Sequence, residues 1–246
     1  MPGRSIMAVF VQVVRILFLA AVVCCGANAP SLALEADASA PTLPSPASGG
    51  GSGWGEPFGR QPMAALPNEM SAKWAELHSR ILSEEETLAA CRSGEGTCPT
   101  AARRFLHIIE LGRQRQGRAR LGEINRAVNL SIKPMRDWAR HAVDDFWSAP
   151  IAALNAGAGD CKDYAIVKYV ALRESEIVPD DLRLVIVRDV KLRTDHAVVA
   201  VRHDEEWLVL DNRTLIMANA AQARHYDPLF VLDDRGVRAV GTATLR

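Results

Sequence analysis

One stretch, Gly157-Ala158-Gly159-Asp160-Cys161-Lys162-Asp163-Tyr164-Ala165, constrains this chain more than any other. A glycine-rich loop ends there at a cysteine. The run from Lys162 to about Ser175, with Ile166, Val167, Tyr169, Val170, Ala171 and Leu172 along it, reads as a largely buried helix. Cys161 then lies in its first turn, with Asp160 as N-cap. Unpaired N–H groups and the positive end of the helix dipole stabilise an anion at that place, so the sequence predicts a thiol of depressed pKa.

The segments on either side say what covers such a helix. After Pro179-Asp180-Asp181, a turn, three β-type runs rich in valine and leucine follow: Leu182 to Val190, His196 to Val201 and Glu206 to Leu210. Arg202-His203-Asp204-Glu205 joins the last two as a hairpin. Short strands are expected at Leu229 to Leu232 and Val237 to Leu245. Ahead of the cysteine the spacing is helical from Asn68 to Ser83. Ser83-Glu84-Glu85-Glu86 reads as a capping box for a second helix running into Cys91. Further helices are expected from Thr100 to Gly112 and from Leu121 to Leu130, the latter ended by Lys133-Pro134, and Asp144 to Pro150 leads through a loop towards Cys161. Helices first and a meandering antiparallel sheet afterwards make an α+β domain, with the Cys161 helix packed on the sheet.

The N-terminus belongs to a different class. Arg4 and Arg15 precede an apolar run from Ile16 to Cys25 that is too short to span a membrane, and small residues follow: the pattern of a secretory signal. Ser31-Leu32-Ala33 is the preferred cleavage site, because Ala27-Asn28-Ala29 would leave Pro30 just after the cut. Residues 34–60, rich in Ala, Pro, Ser and Gly, cannot bury enough apolar area to fold and form a flexible leader. Residues 61–246 are expected to form the folded domain of an exported protein. With 29 basic and 29 acidic residues the net charge is zero, so no global electrostatic case for nucleic acid exists. A basic tract of Arg103, Arg104, Arg113, Arg115, Arg118, Arg120 and Arg126 has two readings, an anionic partner surface or a solvated helix face. No aromatic residues interleave it as a single-strand binder would require.

Cysteine usage sharpens the picture. Cys24 and Cys25 leave with the signal, and Cys91 and Cys98 bracket a turn-forming sequence, so an exported protein would join them as a disulfide. Cys161 is left over, and a free thiol in an oxidising compartment is a pointer to use. A thiolate becomes a catalyst when a histidine pairs with it and a third group holds that histidine. His196 opens one predicted strand and Asp211 closes the next. Because neighbouring strands lie about 4.8 Å apart, the hairpin brings both to one end of the pair. Asp195 is the weaker candidate for the orienting role, since neighbours on a strand point to opposite faces. His78, His107, His141, His203 and His225 have no such placement, and no Cys-x-x-Cys or His-x-x-x-His spacing supports zinc. The backbone N–H of Cys161 supplies one half of an oxyanion hole, with Trp147 and Asn155 as candidates for the other half or the cleft wall; Trp138 and Trp147 also read as core anchors.

These motifs, together with Asn125-Arg126-Ala127-Val128-Asn129, Asp145-Phe146-Trp147, Asp195-His196-Ala197-Val198 and Leu210-Asp211-Asn212, resemble the bacterial transglutaminase-like cysteine proteinases, including the LapG-type periplasmic proteases, over about Ser71 to Tyr226. The resemblance implies a papain-like, transglutaminase-type core and a Cys161-His196-Asp211 triad. It also implies cleavage of a large exported protein such as a surface adhesin, under an inner-membrane receptor that responds to cyclic di-GMP. Adhesin-releasing members bind calcium through acidic residues around the cysteine. Here Asp160 matches and is a weak calcium candidate, but Lys162 replaces the acidic residue that follows the cysteine, which argues against calcium at this spot; no other cofactor is expected. Two alternatives stay open on sequence: acyl transfer to an amine by the same triad, and a non-catalytic binding module of this fold.

Overall fold

The computed structural model describes residues 55–64, 68–135 and 146–240. The expected signal peptide, most of the leader, and Trp138, His141, Asp144 and Asp145 lie outside the described residues. In chain order the helices are α1 (Glu69–Ser93), α2 (Thr100–Arg113), α3 (Gly117–Ser131), α4 (Pro150–Ala156) and α5 (Cys161–Glu174). The strands are β1 (Pro62–Ala64), β2 (Lys133–Pro134), β3 (Ala158–Gly159), β4 (Leu182–Asp189), β5 (Thr194–His203), β6 (Glu206–Leu210), β7 (Ala218–Asn219), β8 (Tyr226–Asp233) and β9 (Gly236–Val240). No helix among the described residues is long and apolar enough to cross a membrane.

Every residue of α5 from Asp163 to Leu172 is buried. A helix buried all round can exist only inside a core, and here α2, α3 and α4 cover it on one side while β4 and β5 cover it on the other. β4 is correspondingly buried on both faces. Leu184 and Ile186 join the helices, whereas Val185 and Val187 join Val198, Ala200, Val209 and Val231 on the far side of the sheet. The sheet order is β1-β9-β8-β4-β5-β6-β7, with all neighbours antiparallel. It is therefore a meander only from β4 to β7, because the chain then crosses back and lays β8 against the free side of β4.

Several expectations are corrected. α1 runs unbroken through Ser83, opened by Asn68, whose side chain accepts from the Ser71 N–H at 2.9 Å. Glu84 caps no helix of its own. Its carboxylate accepts the N–H groups of Ile151 at 2.7 Å and Ala152 at 2.9 Å, and so closes the start of α4 from outside. α4 itself replaces part of the expected loop, with Pro150 at its start and Gly157 in the left-handed conformation at its end. Lys133 and Pro134 pair in parallel with Ala158 and Gly159, which ties the end of α3 to the segment before Cys161. At the end of the expected leader, Glu56 pairs with Arg183 at 3.0 Å and Gly55 accepts the Trp207 indole N–H at 2.6 Å.

Three arginines of the tract serve the fold. Arg113 reaches the Glu174 carbonyl at 2.6 Å and Arg120 the Ser175 carbonyl at 2.8 Å, so both cover the open C-terminal end of α5, where a cation also suits the dipole. Arg104 reaches the carbonyls of Ser131 and Leu154. The disulfide between Cys91 and Cys98 is formed and closes the turn between α1 and α2.

Candidate active site

Cys161 is the first residue of α5. Asp160, in extended conformation, accepts the Lys162 N–H at 2.9 Å, and Asp163 returns the bond by accepting the Asp160 N–H at 3.1 Å. This capping box fixes the turn on which the thiol stands. Gly159 is required beside it, because a Cβ there would lie 2.3 Å from an oxygen of the Asp163 carboxylate. The sheet leaves room for the sulfur. β6 pairs with β5 only from Val199 to His203, so the first residues of β5 face no described strand on that side. The Ala197 backbone N–H donates towards the Cys161 sulfur there.

His196 is buried on β5, and Asp211 is buried in the residue directly after β6. His196 Nε2 and Asp211 Oδ1 are 2.8 Å apart. Asp211 is held further: the Arg213 N–H reaches Oδ1 at 3.0 Å and the Tyr226 hydroxyl reaches Oδ2 at 2.5 Å. Burial is the largest influence on Asp211 and pushes its carboxyl up. The hydrogen bond and charge of His196, together with Tyr226 and Arg213, outweigh it and hold the group well below the usual carboxylate range. An ionised carboxylate can only accept, so the Nε2–H of His196 donates to it, and Nδ1 is the ring nitrogen left for a further partner.

The thiol departs from expectation. Burial, and next the Asp160 carboxylate, push Cys161 up to about 11, against the opposing influence of the Ala197 N–H, Lys162 and Arg213. Desolvation of the thiolate wins over the helix terminus. Burial thus favours the thiol over the thiolate at Cys161, while part of its surface stays accessible.

Of the other candidates, Trp147 lies in the core, 3% exposed, edge-on to Trp74. Asn155 sits on the exposed side of α4. Asp195 is turned outwards and pairs with Arg188 at 2.7 Å, so it leaves the orienting position to Asp211. His78 stacks on Trp74 in α1, and His203 pairs with Asp204 at the hairpin. Among the described residues no set of three or more His, Cys, Asp or Glu converges as a metal site.

Residues that sequence reasoning left unassigned complete the site. Tyr226, at the start of β8, bonds Asp211 and tilts its ring against His196 at 5.7 Å. Arg213, two residues after Asp211, pairs with the buried Asp189 at 2.6 Å. Asn129 donates to the Asp211 carbonyl at 2.9 Å and Asn125 to the carbonyls of Thr214 and Leu215, so two asparagines four apart on α3 clamp the segment that presents Asp211. Their spacing was the one visible signal.

A family model described as bacterial transglutaminase-like cysteine proteinase matches residues 88–227. Among solved structures, Legionella pneumophila LapG is 22% identical with a TM-score of 0.52, over 63% of this chain and 86% of that one. Its calcium-bound form is 22% identical with a TM-score of 0.52, over 65% of this chain and 91% of that one. The EGTA-treated form is 23% identical with a TM-score of 0.53, over 65% and 87%. At these identities the likeness is one of fold, an α+β core of the papain-like kind. No curated protein matches the chain.

Proposed function

Because the chain belongs to the bacterial transglutaminase-like cysteine proteinases, we propose that it is an exported peptidase whose residues 61–246, with the short ordered segment before them, cleave a periplasmic or cell-surface protein through Cys161, His196 and Asp211. The contact between His196 and the ionised Asp211 supports this reading above all others, since it leaves Nδ1 as the base available to a thiol.

A thiol held up to about 11 must lose its proton as it attacks. His196 Nδ1 takes the proton while the Cys161 sulfur bonds to the substrate carbonyl carbon. The oxyanion lies against the Cys161 backbone N–H, one of the groups that a helix start leaves unpaired. The C–N bond then breaks, and the imidazolium gives its proton to the leaving amine. Water, deprotonated by His196, attacks the thioester and restores the thiol. Asp211 stabilises the imidazolium throughout and stays ionised.

Iodoacetamide labelling of Cys161 tests the base without needing a substrate. Wild type labels at neutral pH faster than His196→Ala, and the ratio of the two rates falls as pH rises towards 11. Equal rates at pH 7 would remove His196 from the mechanism. The substrate class is tested by comparing new N-termini among envelope proteins of cells with wild type and with Cys161→Ala. A surface adhesin as substrate and an inner-membrane receptor as regulator, both implied by the family resemblance, are examined in the same cells. New termini present in both strains would sink the peptidase reading.

A further inference from the structure

Relatives of this fold include a calcium-bound LapG, and the family resemblance puts that ion at acidic residues around the nucleophile. The residues present here do not fit it. Calcium needs six to eight hard oxygens. Asp160 Oδ1 is occupied by the Lys162 N–H at 2.9 Å, and Oδ2 by the Lys162 ammonium at 2.5 Å. The two oxygens of Asp163 face the N–H groups of Ser148 at 3.3 Å and Asp160 at 3.1 Å. An ammonium paired with Asp160 also repels a dication.

The position is not an ordinary surface pair. The Lys162 and Asp160 side chains are 16% and 22% exposed, which keeps solvent screening low. Asp160 stands next to the nucleophile, where an uncompensated carboxylate opposes formation of the thiolate and of the oxyanion. Something positive has to offset it.

We propose that Lys162 is the built-in cation of this active site: its ammonium neutralises Asp160 and locks the turn before α5, so that the site is assembled without calcium. A metal-dependent device has become a covalently tethered one. A peptidase built this way stays assembled in a calcium-poor compartment and is not switched by chelation. The inference concerns the site of the proposed function, but its test reads unfolding and labelling and so stands or falls without peptidase activity.

The experiment is thermal unfolding of the mature protein in EGTA and in millimolar calcium, for wild type, Lys162→Gln and Lys162→Glu. Wild type unfolds at the same temperature in both. Lys162→Gln unfolds lower by about 2–4 °C in both, as loss of a part-buried ion pair requires. Lys162→Glu, which adds a hard oxygen ligand in place of the ammonium, unfolds lower still in EGTA and recovers by about 5 °C or more when calcium is well above its Kd. Iodoacetamide labelling of Cys161 follows the same pattern, calcium-insensitive in wild type and calcium-sensitive in Lys162→Glu. A calcium-dependent rise in wild type, a Lys162→Gln variant as stable as wild type, or a Lys162→Glu variant unmoved by calcium each overturns the proposal.

Discussion

Asp211 shows how single residues set the chemistry of this site. Its carboxylate is shared among His196, Tyr226 and the Arg213 N–H, and each donor stabilises the ionised form on which the tautomer of His196 depends. Tyr226 adds a neutral hydroxyl to one lone pair and its ring to one face of the imidazole. It acts on His196 through Asp211, so it is a positioning residue. Hydrogen bonds to a charged group contribute about 1.5–3 kcal/mol. Tyr226→Phe is therefore expected to slow Cys161 labelling at pH 7 by about tenfold or more while leaving the fold intact. In the His196→Ala background the same change has no further effect, because the two act through one pathway. A second drop of similar size in that background would mean that Tyr226 acts on packing alone.

At the scale of elements, the start of α4 depends on a side chain from α1. Glu84 accepts two N–H groups that a seven-residue helix beginning with proline cannot satisfy itself. Removing such a cap costs about 1–2 kcal/mol, so Glu84→Ala should lower the unfolding free energy by that amount, seen as a lower urea midpoint with the slope m unchanged. A wild-type midpoint would show that water replaces the carboxylate without loss. This contact also marks the limit of what sequence conveys. α2, α3, α5 and β4 to β6 were legible because periodicity and capping are local, and so was the meeting of His196 with Asp211, because a hairpin joins their strands. The Glu84 cap was misread as local because glutamates following a serine match a capping box whatever their true partner. Tyr226 was invisible for a different reason: it meets Asp211 only because β8 returns beside β4, a choice of sheet order that no local pattern encodes. The buried state of the thiol likewise follows from packing, which is why a helix-start argument alone gave the wrong direction for its pKa.

Across the whole molecule the net charge is zero, yet buried ionisable groups of both signs lie close to one site, and they make stability depend on pH. Asp211 titrates below its ordinary value of 3.8, so its contribution is present above about pH 4 and is lost as pH falls from there. Lys168, 1% exposed on α5, acts at neutral pH. Burial lowers it from 10.5 to about 7, and only Asp211 acts to raise it. Between these values the unfolded chain binds more protons than the folded one, so stability rises with pH. From pH 7 to 9 the gain is on the order of 2 kcal/mol. Above pH 9 Cys161 opposes it: its folded value of about 11 exceeds 9.0, so the folded state then holds the extra proton and stability falls as pH rises. Urea denaturation at pH 7, 8 and 9 isolates the lysine. Wild type should gain stability across this window, whereas Lys168→Met, of similar length and apolar, should stay nearly flat. The same rise in both proteins would assign the titration to another group, and a flat wild-type profile would mean that Lys168 keeps its charge in the folded state. A charged Lys168 would then serve Asp211 as a buried counter-ion.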